Sequence, residues 1–248
     1  MSRSPIQLLF TSFLALILTG YVRAQTFKPT DSDLDSLSSY VQMKYGLDQE
    51  LFNGFQYYNR FGLYKGDPFF PENSFYDGSV SIKGVQYDHV RLKYNSYSQY
   101  LILEYTDFKE RYNHLRLNNI RIDSFQLGTY FFQKLSLFSK DPSFYQVLSS
   151  GPVTCYIHWQ KTIHSTSDDL QYSHEYSRAI GTYYISYRGG IQAFTNRNSF
   201  ISVFPESIQT EIKKYFRHQR LSFREAESTD IQNLLIYIRQ LDETLSEH

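Results

Sequence analysis

The chain has 248 residues, 25 Lys+Arg against 25 Asp+Glu, a single cysteine, 23 Tyr and 20 Phe. That length suits one large domain or two small ones; the aromatics exclude a disordered chain, and the lone cysteine excludes a disulfide-stapled miniature. Zero formal net charge supplies no global field to gather nucleic acid, so no nucleic-acid partner is expected.

The N-terminus reads as a secretory signal peptide. Arg3 precedes a nearly unbroken apolar run from Ile6 to Gly20, and Val22-Arg23-Ala24 offers small residues where a signal peptidase reads. The run falls short of the roughly 20 residues that span a bilayer, which disfavours the other reading, an uncleaved anchor. Cleavage after Ala24 starts the mature chain at Gln25, with no transmembrane helix expected in it. No cysteine stands directly after the signal, which closes the lipid-anchored route of bacterial lipoproteins. Cys155 has no mate for a disulfide and the mature chain has no Asn-x-Ser/Thr sequon; both absences favour bacterial export into the periplasm or beyond.

Residues 25–50 are polar and weakly patterned, a flexible or partly helical lead-in. Leu51 to Pro71 is crowded with aromatics (Phe52, Phe55, Tyr57, Tyr58, Phe61, Tyr64, Phe69, Phe70) and broken by Gly54, Gly62 and Gly66. It predicts irregular chain packed onto something larger. From Gly78 the period becomes two. Val80 and Ile82, a Lys83-Gly84 turn, then Val85 and Tyr87 make a hairpin. Val90, Leu92 and Tyr94 alternate with Arg91, Lys93 and Asn95, a half-buried antiparallel strand. Asn95 to Ser98 turns the chain into a strand from Tyr100 to Tyr105.

Leu115 and Leu117, Asn118-Asn119, then Ile120 and Ile122 predict a second hairpin, because asparagine tolerates the positive φ of a type I′ turn. Phe125 to Phe138 continues the β-rich run, and Val153 to Ile163 reads as one strand. Tyr183, Ile185 and Tyr187, the Gly189-Gly190 pair, then Ile191 and Ala193 predict a third hairpin. Helices come last. One opens at Pro205 and runs to about Arg220 with Ile208, Ile212, Tyr215 and Phe216 on one face. The other opens on a Thr229/Gln232 capping box and repeats Ile231, Leu234, Leu235, Ile238 and Leu241. The fold class is therefore α+β: a meandering antiparallel sheet, curved or half-barrel, with two C-terminal amphipathic helices. No linker interrupts 51–248, so the organisation is signal peptide 1–24, lead-in 25–50 and a single domain 51–248.

Several segments resemble an uncharacterised family of exported, β-rich proteins common in Bacteroidetes-type bacteria. They are Leu51 to Tyr57, Gly66 to Phe70, Gly78-Ser79-Val80, Gly84 to Tyr87, Val90 to Tyr94, Phe144 to Leu148, Tyr183-Tyr184-Ile185 and the stretch Asn198 to Leu221. Family members often carry an acid after the tyrosine that aligns with Tyr94; here Asn95 stands there. The resemblance implies export and β architecture, and no mechanism.

Motifs for the common chemistries are missing. There is no phosphate loop, no Gly-x-Ser-x-Gly elbow and no His-Glu-x-x-His. Cys155 sits in an alternating segment with His158 three residues on, so the two point to opposite faces of a strand. A small buried hydrophobe is the simpler reading of that thiol. His158, His164, Asp168, Asp169, His174 and Glu175 have the atoms for a first-row metal but no ligand spacing, and the polar stretch Ser165 to Ser173 reads as an exposed loop between strands, where His and Asp are ordinary. Glu104, mid-strand among aromatics, could act as a proton donor with a raised pKa, but the solvated face of an antiparallel sheet is the simpler reading and no second carboxylate pairs with it. Lys213 to Arg220 is a basic stretch that could meet anionic lipid, although a solvated helix face accounts for it.

Tyr57, Tyr58, Tyr64, Tyr94, Tyr97, Tyr100 and Tyr105 cluster in the first half, and tyrosine suits both cores and wet interfaces. The expected function is a non-catalytic binding or assembly module of the envelope, with no catalytic, cofactor or metal residue assigned. Its partner is an envelope protein, a glycan or an amphiphile. The alternatives are a lipid or lipopolysaccharide carrier, which requires a cavity of several hundred Å³, and an extracytoplasmic hydrolase.

Overall fold

The computed structural model describes residues 48–58, 64–107, 109–166, 171–224 and 226–246. The signal peptide, nearly all of the lead-in, Phe61, Gly62, Asp168 and Asp169 lie outside them. Residues 47–248 form one compact unit. Its strands are β1 (Gly54–Gln56), β2 (Phe69–Phe70), β3 (Tyr76–Ile82), β4 (Val85–Asn95), β5 (Tyr100–Thr106), β6 (Tyr112–Leu117), β7 (Ile122–Leu127), β8 (Tyr130–Leu135), β9 (Ser143–Ser150), β10 (Val153–Gln160), β11 (Ile163–Ser165), β12 (His174–Tyr176), β13 (Ile180–Tyr187) and β14 (Gly190–Phe194). Its helices are α1 (Arg197–Ile201), α2 (Glu206–His218) and α3 (Ser228–Ser246).

The architecture is the expected α+β. One antiparallel sheet runs β1-β6-β5-β4-β3-β7-β8-β9-β10-β13-β14, with β2 paired to the end of β4, and β11-β12 forms a separate ribbon. The Lys83-Gly84 hairpin forms as read, both residues having positive φ (51° and 78°). The third hairpin forms too, but its turn residues are Arg188 and Gly189, and Gly190 already belongs to β14.

The predicted hairpin at Asn118-Asn119 does not form. Asn118 has φ −77°, and its side chain accepts a hydrogen bond from Ile120 N to cap a short 3-10 turn over Asn119–Arg121. The chain then crosses to pair β7 with β3 rather than with β6. The strand expected from Val153 to Ile163 stops at Gln160, because Lys161 turns inward: its N–H donates to Ser96 O and its ammonium to Asp67. Pro205 caps α2 from just outside, and α3 opens one residue before Thr229. The reciprocal cap there is Asp230 Oδ2 accepting from Glu227 N (3.0 Å), while Gln232 reaches Ser149 O instead. The short helix α1, capped reciprocally by Asn196 and Ser199, was not anticipated.

Alternation sends one face of every main strand inward. Over β3 to β9 that face carries Val80, Ile82, Leu92, Tyr94, Leu101, Leu103, Leu115, Phe125, Leu127, Phe132 and Phe144. β4 and β9 are four strands apart, about 19 Å in a flat sheet. Yet the Tyr94 and Phe144 rings lie 6.2 Å apart, and Phe70 on β2 stacks on Trp159 of β10 at 4.8 Å. The sheet therefore curls until its own face meets itself. Gly78 belongs to this tight region: a Cβ there would sit 1.9 Å from Gln126 O on β7. The same face over β10 to β14 carries Val153, Cys155, Ile157, Ile185, Tyr187 and Phe194, and is covered by Ile208, Ile212 and Phe216 of α2 and Ile231, Leu234, Leu235 and Ile238 of α3. Between the two cores lies Gln146, buried and satisfied: it accepts from Trp159 Nε1 (2.7 Å) and donates to Ser228 Oγ (2.8 Å).

Candidate functional site

The site is built on the outward face of β4, β5 and β6, half-covered by the segment that carries β1 and β2. Register sets its rows. Arg91 pairs with Glu104 and Glu104 with His114; Ile102 pairs with Arg116 and Arg116 with Phe55. Ile102 and Phe69 occupy outward positions and are still buried, which shows how closely the aromatic segment lies on this face. The reading of Leu51 to Pro71 as irregular chain packed onto something larger is met here; among its described residues only β1 and β2 are regular.

One end of the face is ionic. Glu104 Oε1 accepts from Arg91 Nε at 2.7 Å, and its Oε2 lies 3.1 Å from His114 Nε2. Arg91 also reaches Asp77 at 3.5 Å. Phe75 stacks on the His114 ring at 4.9 Å. The Lys93 ammonium lies over Phe69 and Phe75 (4.6 and 4.3 Å) and donates to Asn73 Oδ1. Burial pushes the Lys93 pKa down. Burial pushes Glu104 up, but the hydrogen bonds from Arg91 and His114 outweigh it and hold the carboxyl below its ordinary value. The raised pKa that a proton donor at this position would need is therefore not found. Two partners from neighbouring strands keep Glu104 ionised, and an ionised carboxylate has no proton to give.

The other end is tyrosine-rich. The Arg116 guanidinium lies 5.1 Å from the Phe55 ring and 5.4 Å from the Tyr100 ring. Among the described residues no carboxylate pairs with it. Tyr57 and Tyr100 tilt together at 6.3 Å, and Tyr97 meets Tyr176 at 5.5 Å. Phe55 in this group stands 65% exposed and Tyr58, next in the chain to Tyr57, 62%, whereas the 72% exposed Tyr112 pairs with Thr106 at the ionic end. The cluster of first-half tyrosines thus divides. Tyr94 is a core residue bonded to Gln99 (2.6 Å), Tyr105 packs edge-on against Phe52, and Tyr64 sits against His174 and Tyr176. Tyr57, Tyr97 and Tyr100 gather at the site. Arg116 was not singled out from sequence; its place between two aromatic strands was the available signal.

The remaining candidates scatter. His158 faces outward on β10, its Nδ1 3.2 Å from Phe144 O, whereas Cys155 faces the helix-covered core. Burial drives the Cys155 thiol well above its ordinary pKa, which suits an inert side chain rather than a nucleophile. In the small ribbon His164 stands opposite Glu175 and His174 opposite Ser165, so the two imidazoles alternate in face. Among the described residues no three His, Cys, Asp or Glu side chains gather as a metal site. On α2, Lys213, Lys214, Arg217 and His218 are solvated, and Lys214 pairs with Glu211 at 2.8 Å. A cleft of about 160 Å³ between α2 and α3 is lined by Tyr215, Arg220 and Asp230 among others. Where a carrier would hold its amphiphile, inside the curl, the rings of Tyr94, Phe125 and Phe132 pack at 4.7 to 5.3 Å.

No family model matches this chain, and neither a curated protein nor a solved structure matches it. No helix among the described residues is long and apolar enough to cross a membrane.

Proposed function

We propose that the chain is an exported, non-catalytic binding or assembly module of a bacterial envelope, and that it takes its partner on the outward face of β1, β5 and β6. The observation that carries this reading is Arg116, held between the exposed ring of Phe55 and that of Tyr100 with no carboxylate partner among the described residues. Arginine and large aromatics dominate interface hot spots, and contiguous exposed aromatics mark binding surfaces. Burial of Cys155 in the helix-covered core argues against a thiol nucleophile there. The apolar run ending at Ala24 supports export to the periplasm or beyond.

The test is native mass spectrometry of the mature protein recovered gently from its own host's envelope. The wild type should carry a stoichiometric partner that the Phe55→Ala/Arg116→Ala variant loses. A wild type recovered as a bare monomer overturns the reading.

A further inference from the structure

The docking face ends at a margin of the sheet. β1 is the terminal strand of the sheet order, and among the described residues no strand lies beyond it. Phe55 pairs with Arg116; on the same ladder Tyr57 N donates to His114 O, and Asn118 N donates to Asn53 O. Backbone groups alternate in side along an antiparallel strand, so Asn53, Phe55 and Tyr57 spend theirs on β6. The N–H and C=O groups of Gly54 and Gln56 point the other way, to an open edge beside two exposed side chains, Phe55 and Gln56. Such an edge is a template for a further strand.

Charge at this margin is one-sided. A single row across the strands runs Lys93, Ile102, Arg116 and Phe55, two cations and no acid. The Lys93 ammonium is spent on Asn73 Oδ1 and covered by Phe69 and Phe75. Glu104, the acid of the neighbouring row, is held by Arg91 and His114. The Arg116 guanidinium makes no hydrogen bond or ion pair among the described residues, and the Phe55 and Tyr100 rings flank it from the strands on either side. Its N–H fork matches a carboxylate in two parallel hydrogen bonds, and the flanking rings shield that pair from water.

We propose that the partner is a protein that adds an extended acidic segment to the open edge of β1 and sets an aspartate or glutamate carboxylate on Arg116. This rests on the docking reading above and names the chemistry of its partner. A strand added there lies about 5 Å from β1 and about 10 Å from β6. A glutamate level with Phe55 and the arginine of β6 together span that gap. Backbone bonds to Gly54 and Gln56 supply affinity, and the carboxylate fixes register and selects the sign of the partner. The open edge favours a peptide over an acidic glycan, which has no ladder of N–H and C=O groups to offer.

The experiment uses the full mature chain recovered with its partner from the host's envelope, as wild type, Arg116→Gln and Arg116→Lys. Arg116→Gln should weaken the complex about tenfold or more. Arg116→Lys keeps the charge and should weaken it less, and a carbodiimide should join the introduced amine to an Asp or Glu of the partner protein. In the wild-type complex, amide exchange at Gly54 and Gln56 should be slower than in the free chain. A wild type recovered bare overturns the docking reading itself. A wild-type complex that Arg116→Gln leaves intact, or that both variants weaken equally, overturns only the carboxylate on Arg116. So does an Arg116→Lys complex that yields no cross-link from position 116, or a cross-link to a glycan acid. Unchanged exchange at Gly54 and Gln56 overturns the added strand.

Discussion

Phe132 in β8 and Ile238 in α3 are both fully buried, but by different means. Phe132 is enclosed by the sheet's own curl: it stacks on Phe125 at 4.7 Å and touches Tyr94 and Phe70, all strand residues. Ile238 comes from a helix laid over β9 and β10. The same inward face thus has two covers, one made by bending and one by adding a layer. Curling needs large rings to fill a narrowing interior, and the first half supplies Phe70, Tyr94, Phe125, Phe132 and Phe144. Layering accepts aliphatic stripes at helical spacing, and α3 supplies Ile231, Leu234, Leu235 and Ile238.

The largest test of that division is a pair of core truncations. Phe132→Ala should cost about 3–5 kcal/mol and Ile238→Ala about 2–5 kcal/mol in urea unfolding. In hydrogen exchange mass spectrometry, Phe132→Ala should lower protection chiefly in β3 to β8 and Ile238→Ala chiefly in β9 to β14. Equal loss over the whole sheet from either variant would merge the two cores into one cooperative unit.

A smaller effect is expected at the seam. Gln146→Leu strands the Trp159 indole N–H and releases Ser228 at the start of α3, at a cost of about 1–3 kcal/mol. If the seam couples the cores, double-mutant cycles of Phe132→Ala with Ile238→Ala should become additive in the Gln146→Leu background. An interaction energy that survives there would place the coupling elsewhere.

The smallest effect is on the ionic end of the outward face. Glu104→Gln should cost about 1 kcal/mol, since Arg91 is half-exposed and solvent weakens the pair. The pH dependence has a definite sign. The folded carboxyl titrates below the unfolded one, so the stabilisation is fully present above the ordinary glutamate value near 4.3 and is lost as pH falls through the lower folded value. The stability difference between wild type and Glu104→Gln should therefore shrink on acidification below about pH 4. A difference that stays constant to lower pH would remove Glu104 from the acid response.

What was readable in advance follows how far each signal reaches along the chain. Lys83-Gly84 makes its hairpin because the two residues that need positive φ are adjacent. Asn118-Asn119 has the same local look, yet Asn118 spends its side chain on Ile120 N and the next strand pairs with β3, forty residues back. Glu104 was visible as an acid among aromatics, and its proton chemistry was not, because Arg91 and His114 reach it only through strand register. The pair Lys161–Asp67 at 3.1 Å, which ends β10, joins residues no local pattern connects.

Local periodicity set which side of each strand turns inward and which stripe of each helix is apolar, since both are properties of neighbouring residues. It also determined the α+β class, because strand periods precede helix periods along the chain. Packing of the whole chain was needed to cover half of the inward face by its own curl and half by α2 and α3. It alone brought Phe55, Tyr57, Tyr100 and Arg116 together on the outside. The reason is physical: ladder hydrogen bonds are the same for any pair of strands, so pairing order is chosen by how the remote side chains pack once the whole sheet exists.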